Sequence, residues 1–574
     1  MKLYSMQSVK NTFIAVIFLL LVAKIGWSEP NVATGENQQY EHMKWWENAR
    51  FGVFIHWGPC ALKNTEISWG RFGDRPGKGK ATQGVPAKEY DNLYKKFNPV
   101  KFNAKEWVRM IKDSGARYLI FTTKHHDGFC MFDTSQRDYK ITKSPFGRDI
   151  TKELADACHE AGVKIFWYYS QPDWTHPDYL TDNHKRYVKY LHEQVRELLT
   201  NYGKIDGVWF DGLGMEGSSW NSEELDPMIR ELQPGIIINS RIARELPGDF
   251  DTPEGRVGCF QIDRPWETCM SIHSGWSFRE NSKVKSLKDC IRVLVRCAGN
   301  GGNLALNFGP APDGSIPAEV AKRYLAIGKW LKKYGESIYG TTGGPWVFCP
   351  TDNITSTRNG NKIYLHILQK PPKGSIELHG FDKKIVGHKV LTGGKAWVRQ
   401  THSKITIKIS PEHFNPTNTI VMLKLDGDAL SIPPISNIEK GAVSIRKNAT
   451  SSPALDEDHN ASKAFDNDLT TYWKGKWHDP SYEDTAGWIE VDLGWPVDID
   501  RIAVYGGDHG VQNYELQYKK DEKWKTFHKG KKPDGLNLKV NSVKARHVRL
   551  YMEYLWKPNI YEFQVFEKQH KGRR

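Results

Sequence analysis

The sequence predicts a multidomain chain: a (β/α)8-type, TIM-like barrel, then an antiparallel β-sandwich, then a second, C-terminal β-sandwich. Three observations predict it. Apolar strand-like runs alternate with amphipathic helical stretches between residues 40 and 335. Five successive strands in that region end in polar and aromatic residues, where barrels carry their sites. Beyond Gly340 the pattern changes to short alternating segments such as KIYLHIL, KITIKI and TIVMLKL, separated by Gly- and Pro-containing turns.

Of the 574 residues, 1–28 read as a secretory signal peptide. Lys2 and Lys10 precede the apolar run Phe13–Ala23, and the small residues Gly26 and Ser28 suit cleavage before Glu29. That run is short for a membrane span and no other long apolar stretch follows. The expectation is therefore an exported chain, periplasmic or extracellular, with no integral membrane segment after signal removal. The 8 cysteines have neither a tight framework spacing nor a CxxC pair, so buried free thiols are expected. The formal charge is +14, but Lys and Arg are spread along the chain and no nucleic-acid module accompanies them. A nucleic-acid partner is not expected; an acidic polysaccharide suits the charge better. Aromatic faces stack on sugars, and 21 Trp residues supply them, although aromatics also fill cores.

The first strand is FGVFIHW (51–57). Asn103 caps the helix AKEWVRMIKDSG, which Gly115 stops, and RYLIFTT (117–123) is the second strand. Helix 150–161 stops at Gly162 before VKIFWYY. Helix 184–201 leads into KIDGVWFDGL (204–213), an apolar run typical of a strand buried on both faces. A helix near 223–232 precedes Ile236–Asn239, and helix 286–298 delivers Asn303–Phe308, followed by a long helix from about 317 to 334. Strands six and seven are expected somewhere in 256–285. The barrel is assigned to 29–339, the sandwich to 340–430, a linker to 431–440, the C-terminal β unit to 441–568 and a basic tail to 569–574.

The strand ends read His56-Trp57-Gly58, Lys124-His125-His126-Asp127, Tyr168-Tyr169-Ser170 with Asp173 beyond, Trp209-Phe210-Asp211, and Asn239-Ser240-Arg241. A lone Asp or His at a strand end is ordinarily a cap or a satisfied structural group. Five in succession suggest a sugar pocket: imidazoles and Arg for hydroxyls, Trp and Tyr for stacking, two carboxylates for the chemistry. Asp211 suits the nucleophile, held by its strand and kept ionised by Arg241 or a His. For the acid, Glu254, Glu267, Asp173 and Glu66 all remain open. A metal reading of His56, His125, His126 and Asp211 is weaker, because the first strand has one His rather than an alternating pair.

FGVFIHWG (51–58), TTKHHDGF (122–129), YYSQPDW (168–174), VWFDG (208–212), GGNLALNFGPAPDGSIP (301–317) and WLKKYGESIYGT (330–341) together resemble the α-L-fucosidases of glycoside hydrolase family 29. The resemblance covers roughly 40–430. It implies a retaining exo-α-L-fucosidase acting through a covalent fucosyl-enzyme on terminal fucose of oligo- or polysaccharides, with no cofactor for catalysis. It also implies Asp211 as nucleophile and Glu254, in a T-P-E context, as acid/base, with Glu267 as runner-up. His56, His125, His126, Tyr169, Trp209 and Arg241 match residues lining the fucose pocket, and Glu66 and Trp69 match a pair contacting O4. The alternatives are an α-L-galactosidase or a catalytically silent carbohydrate-binding protein. ASKAFDNDLTTYW (461–473), WIEVDLG (488–494) and ARHVRLYM (545–552) resemble a discoidin-like (coagulation factor type C) carbohydrate-binding domain. That resemblance implies a structural Ca2+ held by Asp466, Asp468, Thr471 and Glu562, oxygen donors suited to a hard cation. Trp477 and His509 are candidate sugar contacts, and Trp473 and Trp488 candidate core residues.

Overall fold

A computed structural model describes residues 41–212, 215–350, 352–371, 374–475, 486–507, 511–533, 535–554 and 558–568. The signal peptide expected at 1–28, the tail at 569–574, Trp477 and His509 lie outside the described residues.

The barrel strands are β1 (Phe51–Ile55), β2 (Tyr118–Lys124), β3 (Lys164–Tyr169), β4 (Gly207–Phe210), β5 (Ile237–Ile238), β6 (Glu267–Ser271) and β7 (Asn303–Phe308). They form one parallel sheet in the order β5-β4-β3-β2-β1-β7-β6. The gap between β5 and β6 is filled by residues 250–254. These make single parallel bridges, Asn239 to Phe250 on one side, Asp251 to Trp266 and Glu254 to Cys269 on the other. The sixth stave is thus this irregular segment, not a strand within 256–285, and β6 is the seventh.

Helices α1 (Ala104–Asp113), α2 (Ile150–Ala161), α3 (His184–Thr200), α4 (Ser222–Leu232), α5 (Leu287–Gly299) and α6 (Ala318–Tyr334) return the chain between staves. Local chemistry sets their ends. The Asn103, Asp149 and Ser286 side chains each accept a first-turn N–H, and Gly162 leaves α2 at φ 68. The main apolar core lies between sheet and helices. Trp107, Leu154, Leu191, Leu294 and Tyr324 pack there against the outward strand residues Val53, Trp167 and Leu306.

Inside the barrel the alternate residues stack in layers. Tyr118 and Phe166 fill the lower layer because their neighbours on β1 and β4 are glycines. A Cβ on Gly52 would lie 2.2 Å from the Tyr118 ring, and one on Gly207 would lie 2.0 Å from Phe166. Phe54 and Trp209 come next, with ring centroids 5.4 Å apart. His56, Tyr168 and Asp211 form the open upper layer.

Residues 342–425 form a five-stranded sheet facing a three-stranded one around Trp346, Ile363, Ile405 and Leu423. The C-terminal unit is a seven-stranded antiparallel arrangement dominated by Ala486–Gly506 and Leu536–Tyr554. Trp473 is fully buried in its core as expected. Trp488 is not; it alternates with buried Ile489 and lies on the half-exposed outer face. The 431–440 stretch is tied down along its length: Ile435–Ser436 pairs with Trp346–Val347, and Glu439 bridges Arg501 at 2.6 Å. No disulfide joins any of the 8 cysteines, all of which are described, and all but Cys259 are buried.

Candidate active site

A cavity of about 100 Å3 opens at the carboxyl ends of the staves, lined by His56, Trp69, His125, His126, Tyr168, Trp209, Asp211, Arg241 and Glu254, with Phe54, Cys269 and Trp276 completing it. Asp211 leaves β4 at its floor with a side chain 14% exposed. Its Oδ2 accepts from the Tyr168 hydroxyl at 3.0 Å, and its Oδ1 from Arg241 Nη1 at 3.3 Å. His126 Nε2 lies 3.7 Å from Oδ2. Burial raises the carboxyl pKa, but the Arg241 guanidinium, His126 and the Tyr168 hydroxyl outweigh it, so Asp211 ends below the usual carboxylate range.

Arg241 joins the two halves of the site. Its Nε and Nη2 donate to the Thr252 hydroxyl and carbonyl at 2.8 and 3.2 Å, and Nη2 also reaches Glu254 Oε2 at 2.9 Å. The guanidinium stacks on Trp209, 4.7 Å from the ring centroid. One planar cation therefore spans Asp211 and Glu254. Glu254 is the more open of the two, 46% exposed.

The three histidines are buried and neutral. Burial drives His56 and His126 down to about 4, and His125 well below its ordinary value, where its two histidine neighbours add to the effect. The hydrogen-bond network assigns two tautomers. Ser170 Oγ donates to the Pro172 carbonyl at 2.7 Å, so it accepts from His126 Nδ1 at 2.6 Å. Asn307 uses its amide hydrogens on Ser271 Oγ and the Trp276 carbonyl, so its Oδ1 accepts from His56 Nδ1 at 2.8 Å. Both Nε2 atoms are left as acceptors for hydroxyl groups. His125 is held by Ser68 Oγ at 2.6 Å, which also receives the Asp127 N–H at 2.8 Å. Ser68 sits at φ 55, and this local strain lets it brace the loops after β1 and β2 against each other.

Three expected site residues lie elsewhere. Tyr169 faces outward into the helix layer, where its hydroxyl donates to Gln194 at 2.9 Å. Its neighbour Tyr168 is the pocket residue, because adjacent strand residues point to opposite faces. Glu66 does not line the pocket; its Oε1 accepts the Trp276 and Ser277 N–H groups at 2.7 and 2.9 Å and so fixes the loop that carries Trp276. Glu267 is fully buried, accepting from Tyr118 and Trp209. Asp173, another carboxylate considered for the acid, is also closed off, paired with Arg137 at 2.7 Å and Lys124 at 3.6 Å. Trp69 does line the cavity, edge-on to His126 at 5.6 Å. Trp276, 5.0 Å from His56, went unseen in the sequence because it sits in a loop with no periodicity.

In the C-terminal domain, the Thr471 hydroxyl donates to Asp466 Oδ2 at 2.7 Å, and Asn467 N donates to Glu562 Oε2 at 2.9 Å. Glu562 Oε1 is buried without a hydrogen-bond partner. Burial, with Asp466 and Asp468 nearby, pushes the Glu562 carboxyl up to about 9. Among the described residues no three His, Cys, Asp or Glu side chains converge as a metal site.

A family profile described as alpha-L-fucosidase matches residues 24–336, and one described as F5/8 type C domain matches 447–563. The alpha-L-fucosidase of Dictyostelium discoideum is 28% identical over 402 residues, spanning 64% of this chain and 86% of that protein. The tissue alpha-L-fucosidase of Homo sapiens is 30% identical over 367 residues, spanning 58% and 77%. Among solved structures, alpha-L-fucosidase isoenzyme 1 from Paenibacillus thiaminolyticus superposes with a TM-score of 0.61 at 34% identity, covering 68% of this chain and 99% of that one. A Bacteroides thetaiotaomicron alpha-L-fucosidase of family GH29, trapped as a covalent intermediate with 2-fluoro-fucosyl fluoride, gives 0.60 at 28% identity, covering 67% and 96%.

Proposed function

The chain belongs to the alpha-L-fucosidase family, and from that premise we propose that Asp211 is its nucleophile and Glu254 its acid/base. The activity is retaining hydrolysis of α-L-fucose through a covalent fucosyl-enzyme. The observation that supports the residue assignment is the single Arg241 guanidinium spanning both carboxylates. Retention requires the two carboxyl groups about 5–5.5 Å apart, whereas inversion needs room for a water between them. Two carboxylates on one planar cation suit the former.

Asp211, ionised by Arg241, attacks the anomeric carbon while Glu254 protonates the leaving oxygen. Glu254 then takes a proton from water, whose oxygen attacks the same carbon and returns the Asp211 carboxylate. The neutral His56 and His126 accept from sugar hydroxyls through Nε2, and Trp69 and Trp276 offer rings to the apolar face. The small size of the cavity, about 100 Å3, suits a terminal residue better than an internal stretch of glycan. Two tests decide the assignment. A 2-deoxy-2-fluoro-fucosyl label should appear on Asp211 in the digested enzyme, and azide should restore activity to Glu254→Ala. A label on another residue, or azide rescue of Glu267→Ala instead, would overturn it.

Three further properties of the protein are each open to a separate test. The oxygen-only donor types and the partnerless Glu562 Oε1 suit a structural Ca2+ held by Asp466, Asp468, Thr471 and Glu562, which would have to draw together side chains that do not converge as they stand. It would neutralise the loop's carboxylates, so Ca2+ should raise the melting temperature and EDTA lower it, with Glu562→Gln insensitive to both. The +14 charge suits an acidic fucosylated glycan, to be read as a salt-dependent KM on sulfated fucosides. The leader at 1–28 suits export to the periplasm or beyond, to be read from the N-terminus of the mature chain.

A further inference from the structure

Glu267 is a buried carboxylate that the mechanism above leaves unused. It is fully enclosed, and burial drives its carboxyl up to about 7, a value that would suit a general acid. Its position rules out that role. Glu254 bridges Cys269, and Glu267 lies two residues earlier on the same stave, one pleat repeat or about 6.5 Å deeper in the barrel. Trp209 lies between it and the pocket. Glu267 Oε1 accepts the Trp209 Nε1–H at 3.1 Å, and Oε2 accepts from the Tyr118 hydroxyl.

Trp209 is the piece on which the catalytic groups rest. Arg241 stacks over the indole at 4.7 Å, and Tyr168 stacks beside it at 5.7 Å and 23°. Arg241 holds Asp211 and Glu254; Tyr168 donates to Asp211. An indole has no second polar atom, so its in-plane orientation depends on the single N–H and on packing. Glu267 supplies the acceptor that fixes that orientation.

We propose that Glu267 is a positioning residue for the fucosidase reaction: by anchoring Trp209 from inside the barrel, it sets the plane on which Arg241 and Tyr168 align the two carboxylates. The proposal rests on the assignment of Asp211 and Glu254. Glu267→Gln keeps an acceptor for Trp209 in the same volume. Glu267→Leu keeps the volume and takes away the acceptor used by both the Trp209 N–H and the Tyr118 O–H.

The test measures kcat and KM of full-length wild type, Glu267→Gln and Glu267→Leu on aryl α-L-fucosides with good and poor leaving groups. Glu267→Gln should stay within about fivefold of wild type. Glu267→Leu should lose roughly 30-fold or more in kcat, equally for both leaving groups, with KM changing less. A double-mutant cycle guards against a trivial folding defect: in a Trp209→Phe background, which has no N–H to anchor, Glu267→Leu should cost less than a third of its effect in wild type. Wild-type kcat in Glu267→Leu, or the same fold loss in both backgrounds, would overturn the positioning role. A Glu267→Gln loss confined to poor leaving groups, with azide rescue of Glu267→Ala, would instead make Glu267 the acid and overturn the Glu254 assignment.

Discussion

The two carboxylates assigned to the chemistry stand on different kinds of backbone. Asp211 ends β4, every residue of which is buried and which is paired on both sides. Glu254 ends a segment that makes only isolated bridges and is pinned by side chains, Arg241 on Thr252 and Arg264 on Asp251 at 2.9 Å. A nucleophile must sit at a fixed distance from one carbon, and a strand in mid-sheet provides that. An acid/base passes a proton first to a leaving oxygen and then from a water, so its carrier tolerates irregular backbone. Rigidity is concentrated where a bond forms.

Removing each group in turn is the strongest way to break that comparison. On an aryl fucoside with a good leaving group, Asp211→Ala should lose about 10^4-fold or more in kcat. Glu254→Ala should lose roughly 10- to 100-fold on the same substrate, and far more when the leaving group is poor. Equal losses on the good leaving group would mean that the division of roles is wrong.

A smaller effect sharpens the rigid half. Tyr168→Phe removes a hydrogen bond to Asp211 and should lower kcat roughly tenfold or more, with the melting temperature nearly unchanged. Tyr169→Phe removes the outward bond to Gln194, so it should leave kcat within about twofold and cost about 1 kcal/mol of stability. Kinetics and denaturation on the two purified variants separate them; the opposite pattern would place Tyr169 in the pocket.

The smallest effect concerns pH. Because folding depresses His56 and His126 from an ordinary 6.5 to about 4, the unfolded chain binds more protons between those values. Stability from these groups is complete above pH 6.5 and is lost as pH falls toward 4. Asp211, lowered from the carboxylate range, loses its contribution only at more acid pH. Denaturant unfolding at pH 7 and pH 5 should therefore show a smaller pH difference in His56→Asn than in wild type; an unchanged difference would rule out His56 as a contributor.

Much of the fold was legible because hydrophobic period and caps report local physics. Asn103, Asp149 and Ser286 begin their helices, and β4 reads as an apolar run ending in a carboxylate. Strand β3 shows the limit. Both faces of KIFWYY are buried, so alternation of polarity could not say whether Tyr168 or Tyr169 points inward. The stave at 250–254 has no periodic signal at all, since it exists only through its neighbours' pairing. Glu66 and Trp276 lie 210 positions apart, and nothing local foretells that one would hold the loop of the other.

The join between the C-terminal domain and the rest of the chain is built from Phe260, Val347, Ile438, Leu469 and Tyr561 packed together, Cys259 against the Tyr561 hydroxyl at 2.8 Å, and Ser436 donating to Asp468 at 3.0 Å. A Gly/Ser tether would let a binding domain sweep a volume and raise the local concentration of any nearby fucose. A join with a buried core acts as a ruler instead of a leash. Any glycan held on that domain would reach the pocket only across one fixed span, so the join would set a distance where a tether would set a concentration.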